Sequence, residues 1–181
     1  MNFHRMLYKL KNLLLILILA GMSSLALIFF VVVLIYPTLP EVNHLQKYRP
    51  KQPLQIFSQD GLLIAEFGEE RRDHTLIKHV PQRMINAILA IEDRRFFEHP
   101  GIDIIGVMRA AFKNISGQGH EGASTITMQV ARNFFLSSEK TFKRKINEIL
   151  LAIKIERSLT KEAILELYIN QIYLGQRSFG F

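Results

Sequence analysis

The chain opens with its most apolar segment. Leu13 to Tyr36 is an uncharged run of 24 residues, interrupted only by a glycine and two serines. As an α-helix this run would extend about 36 Å, which is enough to cross a bilayer with some tilt. A cleaved signal peptide would have a shorter apolar core followed by small residues, whereas this run ends in Ile35-Tyr36-Pro37. The pattern therefore predicts a transmembrane signal anchor over residues 13–36.

Positive charge is concentrated ahead of this anchor. Arg5, Lys9 and Lys11 stand among residues 1–12 without an acidic neighbour, in a chain whose formal net charge is +7. A basic flank favours a cytoplasmic N-terminal tail, so the bulk of the chain is expected outside the cytoplasm. The remaining positive bias suits nucleic acid, anionic lipid or a phosphorylated substrate. The chain has no cysteine, which excludes disulfide bonds and thiolate metal sites.

Beyond the anchor, the periodicity changes twice. Residues 37–53 are polar and contain several prolines, which predicts a linker. Two apolar runs, Leu54 to Phe57 and Leu62 to Phe67, then flank an Asp-Gly step, a pattern typical of a β-hairpin. From Pro81 onward apolar residues recur at helical spacing, beginning with the stripe Met84, Ile85, Ile88 and Leu89. Residues 54–181 are therefore predicted to form a mainly α-helical domain with one small hairpin.

Three further helices are predicted. The first is short and apolar and covers residues 104–112, ahead of a glycine-rich loop at residues 117–122. A long helix begins after a cap at Ser137 or Ser138 and runs to the neighbourhood of Arg157. Its predicted apolar face is formed by Phe142, Ile146, Ile149, Leu150 and Ile153. Thr160 is the predicted cap of the last helix, and Gly175 is its predicted terminator.

Glu92 is the first candidate for chemistry. It lies four residues after Ile88, so a continuing helix would place it on the buried face, near the helix C-terminus. Burial and the helix dipole would both oppose its ionisation, which makes a carboxylate a better general base near neutral pH. The alternative is a salt bridge at the helix end with Arg94 or Arg95, and the residue pattern alone favours it.

Three other segments carry weaker signals. His99 could be a catalytic imidazole or a metal ligand, but a structural histidine bonded to nearby backbone explains it more simply. The segment 122–127, Gly-Ala-Ser-Thr-Ile-Thr, offers hydroxyl and amide groups that suit either a pyrophosphate oxygen or an ordinary helix start. Arg144 and Glu148 are four residues apart and could simply pair, while the basic residues around them suit a diphosphate leaving group. Those basic residues are Lys140, Lys143, Arg144 and Lys145.

Taken together, four segments resemble the signatures of family 51 glycosyltransferases, the polymerising domains of class A penicillin-binding proteins. In chain order they are Glu92-Asp93-x-x-Phe96-x-x-His99-x-Gly101, Gly122 to Gln129, Arg144-Lys145-x-x-Glu148, and Lys161 to Asn170 followed by Tyr173 and Gly175. The hairpin region from Ile56 to Arg72 also resembles the lead-in of the penicillin-binding protein 1A type. The resemblance covers roughly residues 37–181.

The resemblance implies a lysozyme-like helical fold with a catalytic cleft near the membrane. The implied substrate is lipid II, a disaccharide-pentapeptide on undecaprenyl pyrophosphate, which is joined to a growing glycan strand in cell-wall biosynthesis. The implied reaction is an inverting hexosyl transfer that releases undecaprenyl pyrophosphate. A single-pass protein of the bacterial inner membrane follows, with its N-terminus cytoplasmic and its catalytic domain periplasmic. Membrane lipids and cell-wall synthesis proteins are then the expected partners, and nucleic acid is not.

The resemblance also assigns roles to residues. Glu92 takes the proton from the acceptor's 4-hydroxyl, and Glu148 is the second carboxylate, on the pyrophosphate side. The positions implied to hold the donor are Ser124, Thr127, Gln129, Arg132, Lys140, Arg144 and Lys145. No cofactor is required, although a divalent cation, Mg²⁺ or Mn²⁺, assists some members at the pyrophosphate without a dedicated cage of ligands. Met128 departs from the pattern, because many members have glutamine there, and it removes one amide contact.

Two alternatives stay open at this point. A muramidase or lytic transglycosylase of lysozyme-like fold also places a glutamate near sugar, but it needs neither cations for pyrophosphate nor a membrane anchor. The second alternative concerns residues 176–181, which resemble the start of a fifth family motif beyond which members normally continue. We therefore expect a C-terminally truncated domain with little or no activity of its own, which would leave a membrane-anchored, lipid II-binding or scaffold fragment.

Overall fold

The computed structural model describes residues 3–48, 54–67, 71–72, 74–117, 122–137, 139, 141–175 and 178–179. It divides into two units, of which one ends at Leu39 and the other begins at Pro40. The first unit consists of helix α1 (Phe3–Ile35) and a 3-10 turn at Tyr36–Thr38. Its helix is long and apolar enough to cross a membrane, which agrees with the predicted anchor.

A 3-10 helix at Asn43–Lys47 precedes the β-hairpin in the second unit. Strands β1 (Leu54–Phe57) and β2 (Leu63–Phe67) pair antiparallel. Gly61 in the turn has a φ of 81°, a left-handed conformation that glycine adopts without steric cost. Its N–H donates to Ser58 O at 3.0 Å and closes the turn. The predicted hairpin is therefore confirmed.

Five further α-helices follow in the described part of the chain. They are α2 (Gln82–Glu92), α3 (Ile104–Ile115), α4 (Ile126–Phe135), α5 (Phe142–Ser158) and α6 (Lys161–Gln171). Short 3-10 turns at Ile77–His79 and Phe96–Glu98 precede α2 and α3. The predicted fold class, mainly α-helical with a small hairpin behind an apolar N-terminal helix, is thus confirmed.

Helices α4, α5 and α6 pack against one another and form the core of the second unit. Their apolar side chains that are at most 1% exposed are Ile126, Val130, Ala131, Leu151, Ala152, Ile155, Ile164, Leu165 and Ile169. Helix α6 begins as predicted, because Thr160 Oγ1 accepts a hydrogen bond from the N–H of Ala163 at 3.3 Å. The core therefore lies behind the segments that carry the candidate chemistry.

The structure corrects the prediction for α5. Its cap is Thr141, whose Oγ1 accepts from the N–H of Arg144 at 3.1 Å, while Ser137 precedes the helix and Ser138 lies outside the described residues. Phe142 is 93% exposed, so it does not belong to the buried face. That face is formed by Glu148, Leu150, Leu151, Ala152 and Ile155. The prediction failed because apolar residues occur on more than one side of this helix: Leu151 and Ile155 form a second apolar stripe, and Glu148 is buried with it.

A second, very small sheet ties the segment after the hairpin to the last described residues. Strand β5 (Ser178–Phe179) pairs parallel with β3 (Arg71–Arg72) and antiparallel with β4 (Tyr173–Gly175). Gly175 therefore lies in a strand, and the prediction that it terminates a helix is wrong, since α6 ends at Gln171. The sheet was not predicted from the sequence.

Candidate active site

A cavity of about 630 Å³ opens beside the C-terminal end of α2. Its walls are the end of α2, part of α3, the segment before α4 and one side of α4 itself. The lining residues are Ala90, Ile91, Glu92, Asp93, Arg94, Asp103, Gly106, Arg109, Lys113, Gly122, Ala123, Ser124, Thr125, Gln129 and Arg132. Carboxylate, guanidinium, ammonium, hydroxyl and amide groups thus meet around one concave space.

Glu92 presents its carboxylate at this cavity. It is the last residue of α2, and its Oε2 accepts a hydrogen bond from Gln129 Nε2 on α4 at 2.7 Å. The side chain is exposed, so the expectation that Glu92 shares the buried face of α2 is wrong. The helix ends there, because Asp93 adopts φ −159° and ψ 79°, and the glutamate is left at the open end. The alternative of a salt bridge with Arg94 or Arg95 has no counterpart among the ion pairs of the described residues.

Buried polar groups hold the loop after Glu92, residues 93–101, in place. His99 Nε2 lies 3.0 Å and 3.1 Å from the two carboxylate oxygens of Asp93, and both side chains are almost fully buried. The N–H of Ile126 donates to Asp93 Oδ2 at 3.1 Å. His99 is therefore a structural histidine, although its partner is a carboxylate and not the backbone that we expected.

A second cluster joins the segment before α4 to α5. Lys145 Nζ donates to Ser124 Oγ at 2.8 Å and to Glu148 Oε2 at 3.1 Å. Arg144 Nη1 pairs with the other oxygen of Glu148, whose side chain is 2% exposed. Glu148 thus holds two cations behind Ser124, and it does so from a buried position. The simple pairing of Arg144 with Glu148 is present, and Lys145 extends it toward the cavity.

The model of the transglycosylase family matches residues 60–181. The chain belongs to this family. The match begins in the hairpin turn and includes the cavity, the Glu92 loop and the Ser124–Lys145–Glu148 cluster.

Curated relatives of the chain are similar to it over most of its length. Penicillin-binding protein 1A of Neisseria gonorrhoeae is 56% identical over 156 residues, which are 86% of this chain and 20% of that protein. The protein of the same name from Neisseria lactamica is 58% identical over 147 residues, or 81% of this chain and 18% of the relative. The one from Escherichia coli K12 is 53% identical over 147 residues, or 81% and 17%. The chain therefore spans about 20% of the length of these relatives.

Not all positions that the family pattern assigns to the donor face the cavity. Ser124, Gln129 and Arg132 line it, and Lys145 reaches it through Ser124. Thr127 is fully buried and donates its hydroxyl hydrogen to Glu156 Oε1 at 2.6 Å. The structure therefore places it on the core side of α4. Lys140 lies outside the described residues.

The departure at Met128 also lies in the core. Its side chain is 3% exposed, so an amide at this position would not reach the cavity from the conformation that α4 has here. The expectation that Met128 removes a contact with the ligand is therefore not supported by its position.

Two basic residues of the site were missed by the sequence analysis. Arg109 and Lys113 both line the cavity from α3. They are four residues apart, and this spacing places two side chains on one side of a helix. The apolar composition of the segment concealed them, although the spacing alone could have revealed a basic stripe.

The ionisation of the buried Tyr168 on α6 depends on the charges of this site. Burial raises the pKa of its hydroxyl to about 12, the negative charge of Glu92 adds to that rise, and the positive charge of Arg132 opposes it. The phenol is therefore neutral under physiological conditions. Both charged groups that act on it, Glu92 and Arg132, line the cavity.

Proposed function

We propose that this domain polymerises lipid II into glycan strands in peptidoglycan synthesis and releases undecaprenyl pyrophosphate. The observation that carries the proposal is an exposed carboxylate, Glu92, that is oriented by Gln129 at a cavity with several cationic side chains. A base and an array of cations are the two requirements of a transfer in which an alcohol attacks and a diphosphate leaves. The similarity to penicillin-binding protein 1A supports the same reaction class.

The reaction then requires one proton transfer and one substitution. Glu92 takes the proton from the 4-hydroxyl of the acceptor sugar while that oxygen forms a bond to the anomeric carbon of the donor. The bond from this carbon to the pyrophosphate oxygen breaks, and the pyrophosphate leaves with the electron pair. Attack from the opposite side of the anomeric carbon inverts its configuration.

The cationic groups stabilise the negative charge that develops on the leaving group. Arg132, which lines the cavity, and Lys145, which donates to Ser124 Oγ at 2.8 Å, are the cationic candidates. Ser124 also lines the cavity and adds a neutral hydroxyl group. Glu148 keeps Lys145 and Arg144 in place from below. The described residues hold no group of three or more His, Asp or Glu side chains that could bind a metal ion. We propose that a divalent cation, when bound to the pyrophosphate, would neutralise part of the charge on the leaving group.

The anchor fits the chemistry of the substrate. Helix α1 has the length and composition of a membrane span, and lipid II is held in the membrane by its undecaprenyl tail. We propose a single-pass protein of the inner membrane with a cytoplasmic N-terminus and a periplasmic domain. Extraction of the intact chain by alkaline carbonate, or an N-terminus found near Tyr36, would contradict this arrangement.

The decisive experiment measures glycan synthesis from fluorescent lipid II in detergent. It uses the chain itself and a chimera in which the chain replaces the matching region of the gonococcal relative, so that activity does not depend on 181 residues alone. Glu92→Gln is expected to lower the turnover of the chimera about 10²- to 10⁴-fold, because it removes the base. Glu162→Gln is the matched control, since Glu162 is exposed in the first turn of α6.

Three outcomes separate the alternatives. Release of muropeptides from purified glycan would favour a hydrolase or lytic enzyme. Binding of lipid II by the wild-type chimera without any turnover would favour a binding module. Near-normal synthesis by the Glu92→Gln chimera would remove Glu92 from the mechanism.

A further inference from the structure

A buried ionic cluster lies behind the cavity wall, on the core side of α4. At its centre is the carboxylate of Glu156 on α5, whose side chain is 8% exposed. Glu156 Oε1 accepts a hydrogen bond from Thr127 Oγ1 at 2.6 Å and another from Lys161 Nζ at 2.7 Å. One carboxylate oxygen thus joins α4, α5 and α6.

Lys161 connects this cluster to the loop that follows Glu92. Its Nζ donates to His99 O at 2.7 Å and lies 4.3 Å from the centre of the Phe96 ring. An ammonium group attracts the face of an aromatic ring and has three N–H donors, so these contacts and the one to Glu156 use the group fully. Phe96 is completely buried, which fixes the ring against the ammonium group.

The backbone of the same loop passes directly against the cluster. Gly101 has a φ of 92°, and a Cβ at this position would lie 3.0 Å from Glu156 Cγ. The carbonyl oxygen of Gly101 accepts a hydrogen bond from Thr125 Oγ1 at 2.7 Å. The loop is therefore held between the start of α4 and the ionic cluster on α5 and α6.

Helix α4 brings the cluster and the cavity into one rigid unit. Thr127 and Gln129 are two residues apart, so at about 100° per residue they point to opposite sides of the helix. Thr127 is bonded to Glu156 on the core side, and Gln129 is bonded to Glu92 on the cavity side. The position of α4 relative to the loop therefore determines where the Glu92 carboxylate is held.

We propose that Lys161 and Glu156 are positioning residues for Glu92. They fix the position of the loop after Glu92 relative to helix α4. This relative position determines whether Gln129 can donate its hydrogen bond to the Glu92 carboxylate. The inference rests on the proposed function, in which Glu92 takes the proton of the acceptor hydroxyl. Loss of the cluster should lower turnover, while the groups at Ser124 and Lys145 still bind substrate.

The competing explanation is a purely structural ion pair, because a buried carboxylate without its partner destabilises any fold. Two variants separate the explanations. Lys161→Met leaves the charge of Glu156 unpaired, whereas Lys161→Met combined with Glu156→Gln removes that charge and keeps an acceptor for the Thr127 hydroxyl. We therefore expect the double variant to restore stability without restoring the bond to His99 O.

The experiment measures kcat, KM for lipid II and the melting temperature of the chimera, together with hydrogen exchange of the loop amides. For the double variant we expect a melting temperature close to wild type, a kcat at least about tenfold lower and a KM changed by less than about threefold. Lys161→Arg, which keeps a charged donor, should recover part of kcat. Lys154→Met is the matched control, because Lys154 on α5, like Lys161 on α6, is a lysine that donates to a backbone carbonyl, that of Pro40 at 2.9 Å.

The outcomes distinguish this proposal from the function on which it rests. A wild-type chimera that makes no glycan would overturn the function and the proposal with it. Wild-type activity with an unchanged kcat in the double variant would overturn the positioning role alone. The same holds if only KM rises, or if the amides of the loop exchange no faster than in the wild type.

Discussion

Helices α3 and α4 both line the cavity, but they are held in place in very different ways. Helix α4 buries five residues in its ten-residue length, among them Ile126, Val130 and Ala131. Helix α3 has twelve residues and buries only Gly106 and Ala110. Its large side chains that are more than half exposed are Ile104, Ile105, Met108, Phe112 and Ile115.

The two helices therefore present different groups to the cavity from differently packed positions. Helix α4 presents Gln129 to Glu92 from a position that the core and the ionic cluster fix on its far side. Helix α3 presents Arg109 and Lys113 from an element with little packing of its own. The contact that orients the Glu92 carboxylate thus comes from the well-packed helix α4, and the additional cations come from the lightly packed helix α3.

The largest difference between the walls should appear in stability. Ile126→Ala on α4 is expected to cost about 3–5 kcal/mol, because this fully buried side chain would leave a cavity. Ile105→Ala on α3 should cost less than about 1 kcal/mol, since Ile105 is 58% exposed. Unfolding of the chain by urea in mild detergent, followed by far-ultraviolet circular dichroism, measures both. Equal losses would show that α3 is packed as firmly as α4.

Two glycines compare the packing of the loop after Glu92 with that of α3, because a Cβ added at each position meets different neighbours. Gly101→Ala should cost about 2–3 kcal/mol, because φ is 92° and the new Cβ would lie 3.1 Å from the backbone oxygen of Ala152 on α5. In Gly106→Ala the new Cβ would lie 2.5 Å from Oδ2 of the buried Asp103, whose Oδ1 accepts a hydrogen bond from Arg95 Nη1 at 3.2 Å, so this side chain has to shift. Helical geometry suits alanine at this position, and we therefore expect a loss of about 1 kcal/mol, smaller than for Gly101→Ala. A larger loss for Gly106→Ala than for Gly101→Ala would reverse the comparison.

Substitutions on the two helices should affect different kinetic parameters, kcat for α4 and KM for α3. Gln129→Leu removes a hydrogen bond to a charged group and should lower kcat about tenfold. Lys113→Gln removes one cation of the α3 wall and should raise KM by roughly threefold, with little change in kcat. Both are measured with lipid II and the chimera. A change of kcat for Lys113→Gln that matches the change for Gln129→Leu would mean that α3 also acts in the chemical step.

Much of the architecture, and the grouping of several candidate site residues around one cavity, could be predicted from the sequence. The hairpin turn, the cap at Thr160 and the grouping of Glu92, Ser124 and Gln129 follow from local patterns and from the motifs. These features depend on residues that are close in sequence or on segments with a strong family signature. Local chemistry was sufficient for the turn and the cap, whereas the family resemblance grouped the three site residues.

The features that escaped prediction depend on long-range contacts. Glu148 on α5 is buried together with its ion pairs to Arg144 and Lys145, and hydrophobic periodicity does not detect a buried charged residue. Strands β3 and β5 are two residues long and pair across more than 100 positions of sequence, which leaves no local signal. Glu92 proved exposed because α2 ends at this residue and the side chain turns to the cavity.

The smallest expected effect on stability concerns Tyr168, whose pKa depends on the charges of Glu92 and Arg132 beside α4. Its folded pKa is about 12 against an ordinary value of 10.0, so the folded state holds the phenol proton more tightly than the unfolded state. This contribution to stability is complete below pH 10 and is lost as the pH rises toward 12, with a difference of about 1 kcal/mol at pH 11. Tyr168→Phe should therefore lose less stability than the wild type between these pH values, in urea unfolding curves recorded at each pH. Because the charge of Glu92 contributes to the raised pKa, Glu92→Gln should shrink the difference between the two proteins. Parallel loss of stability in wild type and Tyr168→Phe would show that the charge of Glu92 does not affect the ionisation of Tyr168.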